Sequence, residues 1–350
     1  MDRDAGKSLG SILVTGATGK VGRRLVAELL RTGQRVAIVT RSSDAAQTLW
    51  QEQGAGQGPE IRAADLTDPS SLGSVCDGID TLFHLASYSP RPDEPDIYEA
   101  PSHWPVTAEG TANLMARVEP SGIRRVIYLS SIKAMGDRAG ALGRPADESV
   151  IPAPDSLYGR AKLAAERSVL ELGRATGRHT AVLRLPMVYG LGDSGNIARM
   201  VKAVAAGRFP PWPRIENHRA AIHVEDAVDA AILVAGHPET AGEVYLVTDG
   251  RDYSTRWLYE QSLIALGRPV PRWTIPLPVL RFAAGVGTVG ERLSRRRMPL
   301  TLDGLGKLTG DAWFTSSKLE RNLGFRPRQT LETEIPRLVR ALAHAPALGA

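Results

Sequence analysis

Among 350 residues there is one cysteine, Cys76. A disulfide framework is therefore excluded, and a reducing compartment suits the chain. The opening MDRDAGKSLG holds no apolar run of the kind a secretory signal needs, so none is expected and cytoplasm is the expected location. No stretch interleaves basic with aromatic residues, so the net charge of +5 does not point to nucleic acid. There is no cysteine–histidine cluster, and no metal is expected. The long apolar stretch Trp273 to Gly290 is broken by Pro276, Pro278 and Arg281, which makes it a poor membrane span. It reads as a loop and a helix covering a site. With the cluster Arg295-Arg296-Arg297 behind it, weak contact with a membrane surface is the lesser alternative, and stable insertion is not expected. Internal repeats are lacking, and Gly54–Gly58 reads as a flexible loop tip.

What is present is the composition of a globular protein, 43% hydrophobic and 23% charged. Short apolar runs at Ser11–Thr15, Arg35–Thr40, Thr81–Leu85, Arg125–Ser130 and Thr180–Leu185 read as buried strands. Between them, segments such as Val21–Arg31 and Gly110–Val118 carry apolar residues at helical spacing. Strands alternating with helices predict an α/β fold, a doubly wound parallel sheet covered on both faces. Beyond about residue 190, prolines cluster at Phe209–Pro213 and from Pro269 to Pro278. A helix over His223–Ala235 and a strand over Gly242–Thr248 remain legible there. The expected organisation is a nucleotide-binding Rossmann domain over 8–190, to which 219–248 returns, and a smaller C-terminal substrate lobe mainly over 191–345.

The segment Ser11–Gly22, SILVTGATGKVG, places Gly16, Gly19 and Gly22 between the first strand and the first helix. Glycines there allow a tight turn and close approach of backbone to a pyrophosphate, and the helix N-terminus offers N–H groups to an anion. Thr18, Lys20 and Val21 fall in the same candidate cofactor loop. The second strand ends in Val39-Thr40-Arg41-Ser42, with no carboxylate to accept the adenosine ribose hydroxyls. Arg41 can instead meet a 2′-phosphate, so NADP is favoured and NAD is the alternative. Asp65 and Leu66, after the third apolar element, are placed to meet the adenine edge.

Tyr158 and Lys162 stand four apart in SLYGRAKLAAE, on one face of a helix. Alone, this spacing describes an ordinary helix surface. Together with TGATGKVG at Thr15–Gly22, Asp65-Leu66, His84-Leu85-Ala86, Leu129–Lys133, Tyr158–Lys162 and His223–Ala227, it gives a pattern over nearly the whole chain. That pattern resembles the extended short-chain dehydrogenase/reductases, the NAD-dependent epimerase/dehydratase group. Within the group the chain looks most like bacterial UDP-sugar 4-epimerases and UDP-4-keto-sugar reductases. The stretches SSIK at Ser130–Lys133, GNIARMVK at Gly195–Lys202, NHRAAIHVED at Asn217–Asp226 and LTGDAWFTSSKLERNLGF at Leu308–Phe325 carry that likeness.

The resemblance implies that Ser131, Tyr158 and Lys162 are catalytic. Tyr158 would exchange a proton with the substrate while hydride moves to or from nicotinamide. Lys162 would favour the phenolate and hold the nicotinamide ribose. Ser131, five residues before Gly136, would orient the reacting oxygen. Leu85, Ala86 and Ser87 would line the cofactor channel, and Val188 would present backbone to the nicotinamide amide. Arg219 and Asn196 fall where epimerases hold the substrate diphosphate, and a guanidinium suits one. His84 and His223 read as supports of the fold.

Three positions depart from the pattern: Thr107 where an asparagine is expected, Met187 where an asparagine touches the sugar nucleotide, and Leu308 where an arginine often meets it. Ser131, Tyr158, Met187, Asn196 and Arg219 are the candidate substrate contacts. The expected activity is NAD(P)-dependent oxidation or reduction of a secondary alcohol or ketone, foremost C4 of a UDP-hexose, as epimerase or 4-ketoreductase. A hydroxysteroid-dehydrogenase-like reductase of an apolar alcohol is the alternative. A non-catalytic NADP-binding regulator is a third, against which stand both Tyr158 and Lys162. The partner expected is a small molecule; a homodimer is allowed, with oligomeric state left open.

Overall fold

The computed structural model describes residues 9–52, 58–91, 94, 96–190, 195–294, 298 and 300–344. Residues 54–57 of the expected loop tip and Arg295-Arg296-Arg297 lie outside them, as do the ends of the chain. Seven parallel strands form the main sheet: β1 (Ile12–Thr15), β2 (Val36–Thr40), β3 (Glu60–Ala63), β4 (Thr81–His84), β5 (Arg125–Ser131), β6 (His179–Leu185) and β9 (Val244–Leu246). Their spatial order is β3-β2-β1-β4-β5-β6-β9, while β7 (Met187–Tyr189) and β8 (Ala221–His223) pair separately in parallel. This is the doubly wound Rossmann-type sheet.

The helices are α1 (Lys20–Arg31), α2 (Ser43–Glu52), α3 (Gly110–Val118), α4 (Leu157–Thr176), α5 (Asn196–Ala205) and α6 (Val224–Gly236), then α7 (Thr255–Ala265), α8 (Leu277–Ser294), α9 (Leu302–Thr309), α10 (Ser317–Leu323) and α11 (Leu331–His344). Alternation along each strand divides the apolar side chains between two faces. Ile12, Val14 and Ile38 pack with Leu25 and Leu29 of α1, Ala227 and Ala231 of α6 and Leu319 of α10. Leu13, Ala37 and Leu82 pack on the other face with Leu114 and Val118 of α3 and Val169 and Leu172 of α4. A separate apolar core joins α5, α7, α8, α9 and α11 through Met200, Leu258, Leu280, Leu305 and Leu338.

Two details differ from the sequence reading. The third strand, β3, is a half-exposed edge, Glu60-Ile61-Arg62-Ala63, and not an apolar run. His223 ends β8 and caps α6 from outside, its ring accepting from the Glu225 N–H at 3.2 Å, so the helix begins at Val224.

The strand order reverses between β1 and β4, and the chain ends that diverge there leave a crevice. His84, fully buried at that point, bonds Thr15 Oγ1 through Nδ1 at 2.6 Å and Thr111 Oγ1 through Nε2 at 2.8 Å. It thus ties β4 to β1 and α3. Burial, with a smaller contribution from the charge of Lys162, drives its pKa down to about 3. Between pH 6.5 and 3 the unfolded chain takes up a proton that the folded chain refuses at this position. Stability should therefore fall as pH falls through that window. Urea melts of His84→Gln should show a shallower acid dependence than the unmutated protein; an unchanged slope would mean that His84 is not the group refusing the proton.

Candidate active site

The loop after β1 sits at this crevice. Gly16 has φ +70°, and a Cβ there would meet Ala86 N and Leu85 C at 2.7 Å, so only glycine lets the loop lie against the end of β4. Gly19 precedes α1 with no side chain capping the helix, and no acidic residue stands in its first turn. An uncapped N-terminus with no competing carboxylate is what a dinucleotide diphosphate requires. Thr18 and Gly19 are exposed and Lys20 and Val21 half-buried. The Lys20 ammonium crosses to the carbonyl of Val188 in β7 at 2.6 Å, so the glycine loop and the far candidate contact face one another.

Arg41 is exposed at the end of β2, and its charge helps hold the Asp65 carboxyl low, after the larger effect of the Thr67 N–H. The two groups therefore share one corner of the crevice, with Leu66 buried beside them. Leu85 and Ala86 each direct a backbone N–H at Thr15 Oγ1, 3.2 Å, and Ser87 Oγ meets Thr107 Oγ1 at 3.0 Å. Thr107, the departure noted above, is buried and also accepts from the Tyr88 N–H at 3.1 Å. The residues present fit a nicotinamide dinucleotide.

Across the crevice, Ser156 starts α4 by accepting the Gly159 N–H at 3.2 Å. A Cβ on Gly159 would fall 2.3 Å from the carbonyl of Lys133, so this glycine lets α4 press against the end of β5. That contact brings Tyr158 near Ser131. Burial pushes the phenol up to about 12; the Ser131 hydroxyl opposes this and Tyr98 adds to it. Lys162 is buried, and its ammonium donates to Leu129 O at 3.0 Å and lies 4.9 Å over the Tyr128 ring. Burial lowers its pKa to about 8, against the attraction of Glu166.

Lys162 is held by the Leu129 carbonyl while Glu166 favours its charged form, and desolvation disfavours the charged forms of both the lysine and the phenol.

Several residues that sequence reasoning missed surround Tyr158. The ring of His103 lies 4.9 Å from that of Tyr158, and Tyr98 lies 5.9 Å away. His103 is buried, its Nε2 on the carbonyl of Ile97 at 2.7 Å, while Nδ1 is buried without a partner. The Lys133 and Lys307 ammonium groups lie 5.0 and 4.7 Å from the Tyr98 ring centre. Each has a carboxylate, Asp137 for Lys133 and Asp303 for Lys307.

Arg219 does not. Its guanidinium reaches the carbonyls of Lys307 at 3.0 Å and Gly310 at 3.3 Å, and Met187 Sδ at 3.5 Å. It is half-buried, and burial lowers its pKa while Tyr98, Asp137 and Asp311 raise it. Among the described residues, none of its bonds is to a carboxylate. Asn196 is exposed at the start of α5, its Oδ1 accepting from Arg199 of the same helix. Leu308 packs half-buried against the second core, and its carbonyl accepts from Thr255 Oγ1 and Asn217. The local motif that could have drawn attention to His103 is its place four residues before Thr107; Lys133 lies at the end of the SSIK stretch, and nothing in sequence marked Lys307.

The model of the NAD dependent epimerase/dehydratase family matches residues 12–248. The chain belongs to that family. It is an enzyme of the short-chain dehydrogenase/reductase type. It is 27% identical to a UDP-glucose 4-epimerase of Vibrio cholerae, over 96% of each chain. It is 29% identical to a 3 beta-hydroxysteroid dehydrogenase/Delta 5-->4-isomerase of Mycobacterium tuberculosis, over 93% of this chain and 88% of that one. Among solved structures, MoeE5 in complex with UDP-glucose and NAD superposes with a TM-score of 0.71 at 24% identity, covering 96% of this chain and 99% of that one. This last likeness is one of fold.

Beneath the site, Glu166 and Arg184 form a buried ion pair at 2.7 Å, and Glu166 also accepts from Ser130 Oγ at 2.5 Å. Glu166→Gln would leave the guanidinium buried without its counter-charge, at a cost of about 3–5 kcal/mol. It would also move the Lys162 pKa further down, since Glu166 is what raises it. A loss under about 1 kcal/mol in urea melts would show that this pair does not hold α4 in place.

Proposed function

We propose that this enzyme oxidises or reduces a secondary alcohol or ketone at C4 of a nucleotide-linked hexose, with NADP ahead of NAD as its dinucleotide. The observation that carries the substrate class is Arg219. A half-buried guanidinium bonded only to carbonyls and a thioether is a site for an anion, and it lies beside Tyr98 and so within the surroundings of Tyr158. A diphosphate satisfies such a group bidentately, and an uncharged alcohol gives it nothing. The Vibrio cholerae relative and the UDP-glucose complex of MoeE5 support the same class.

In this reading the chain divides into a dinucleotide domain over 8–190, with 219–248 returning to it, and a lobe over 191–345 that carries most substrate contacts. When bound, the nicotinamide supplies or accepts hydride. Tyr158 exchanges the proton of the reacting oxygen, and Ser131 orients that oxygen. Lys162 holds the nicotinamide ribose and, by its charge, the proton balance of the site. Gly16, Gly19 and the start of α1 hold the diphosphate of the dinucleotide. Lys20 and Val188 close over the nicotinamide end. His103 Nδ1 offers an acceptor next to Tyr158 for a substrate hydroxyl. Arg41 favours reduction with NADPH over epimerisation.

A second reading has one observation behind it. Met187 places a thioether, not an amide, at the substrate side of Arg219, which with the hydroxysteroid relative at 29% identity favours an apolar alcohol.

Thermal shift separates the two. UDP or a UDP-hexose should raise the melting temperature of the cofactor-bound protein, and Arg219→Ala should abolish the rise. Tyr158→Phe should keep that rise while cutting turnover by about a hundredfold or more. No shift with any nucleotide, beside turnover of a free apolar alcohol, would replace this reading with the second.

The cofactor prediction rests on Arg41. One or two charge-assisted bonds to a 2′-phosphate, weakened by exposure, should leave NADP(H) bound roughly ten- to a hundredfold tighter than NAD(H). Arg41→Ala should weaken NADPH and spare NADH, and salt should narrow the difference. Calorimetry finding NAD⁺ the tighter ligand of the unmutated protein would remove both the NADP preference and the bias toward reduction.

A further inference from the structure

Helix α8 turns Leu280 and Ala284 into the second core, and the backbone of Gly287 lies against Leu300 just before α9. Its opposite face is apolar and open. Val279, Phe282, Val286, Val289 and Leu293 are all exposed, Phe282 at 75% and Leu293 at 82%. Spacings of three, four, three and four residues gather them within an arc of about 80°. Trp273, just ahead of the helix, is 64% exposed. Apolar residues scattered singly over a surface are ordinary, but a continuous stripe where a surface helix should be polar marks a contact face.

Charge identifies what it contacts. From Gln261 through Gly290 the sequence holds Arg268, Arg272 and Arg281 and no aspartate or glutamate. Arg272 adjoins Trp273, Arg281 adjoins Phe282, both are exposed, and among the described residues neither meets a carboxylate. In a two-fold dimer the same patch faces itself; the one carboxylate of α8, Glu291, lies on the Leu280 and Ala284 side of the helix, so these guanidinium groups would find none on the stripe itself. An anionic lipid surface supplies the missing charge, and a tryptophan beside an apolar helix face is suited to the headgroup level. No helix among the described residues is long and apolar enough to cross a membrane, so the helix would lie on the surface.

We propose that α8 with Trp273 docks this enzyme on an anionic bilayer, the stripe set into the headgroup boundary and Arg272 and Arg281 on lipid phosphates. Helix α8 packs on α9, which carries Lys307 beside Tyr98.

The test uses the full chain and sucrose-loaded vesicles, either of phosphatidylcholine alone or with about a third phosphatidylglycerol. Sedimentation should show binding to the anionic vesicles at least about tenfold stronger than to the neutral ones, weakening with salt. The exposed-face double variants Phe282→Ser/Val286→Ser and Val289→Ser/Leu293→Ser should each lose about tenfold or more while keeping the melting temperature. Arg281→Glu should reduce the preference for anionic lipid. Absence of binding by the unmutated protein overturns the proposal, as does binding by both double variants equal to it. If sedimentation equilibrium finds a dimer that the double variants convert to monomer, and vesicles are not bound, the stripe is a self-association face instead.

Discussion

The placement of the site rests on the buried pair between Glu166 of α4 and Arg184 of β6. Such a pair adds little net stability over an apolar contact, since desolvation offsets the attraction, but it is directional where an apolar contact is not. With the Ser130 hydroxyl as a third member, it fixes α4 in rotation against both β5 and β6. Lys162 lies one turn before Glu166 and is thereby aimed at the carbonyl of Leu129. Tyr158, one turn earlier again, arrives at Ser131. A small rotation of α4 would separate the phenol from the hydroxyl, and the close approach permitted at Gly159 would be lost with it.

The same burial sets the electrostatics. The pKa of His84 is driven to about 3, that of Lys162 falls to about 8 and that of Tyr158 rises to about 12, and in each desolvation is the leading cause. Burial keeps His84 neutral between its two threonine partners and moves the Tyr158 phenol further from ionisation than its free value of about 10. Glu166 is the counterweight that leaves Lys162 charged near neutrality. Phenol and lysine are each governed first by their own burial. Any ligand that closes the crevice will act on these same balances, since it changes both solvent and charge around Tyr158 and Lys162.

Much of the fold was legible in sequence because its strands are short and carry few charges. Runs such as VAIVT and TLFH tolerate apolar neighbours on both faces, and only a covered parallel sheet provides that. The edge strand β3 was not read as a strand for the converse reason. Glu60 and Arg62 alternate with Ile61 and Ala63, and the pattern is that of any solvated segment. The motif Tyr158–Lys162 could be placed on a helix from spacing, and Ser131 followed from the resemblance. The aromatic and cationic surroundings of Tyr158 were not legible. His103 and Tyr98, Lys133, and Lys307 come from three separate segments, and only tertiary folding brings them together. The open face of α8 was half legible: its apolarity was plain, but the sequence could not say which side α9 and the second core would leave uncovered.

The second core thus presents two chemistries. Toward Tyr98 it offers Lys307 and the carbonyls that hold Arg219, a guanidinium with no bond to a carboxylate among the described residues. Outward it offers the apolar stripe of α8 with arginines that also lack carboxylates. An apolar substrate would account for the outer face and not for Arg219; a free nucleotide sugar would account for Arg219 and not for the outer face. The proposed assignments need both facts because the two faces answer different questions, one about what enters the crevice and the other about where the protein rests while it enters. An anion recognised at Arg219 does not require an aqueous location, and an enzyme resting on lipid does not require an apolar substrate. The fold keeps these properties separable, since α8 meets the core through Leu280 and Ala284 while the candidate substrate groups lie on β5, α4, β7, α5 and the segment before β8.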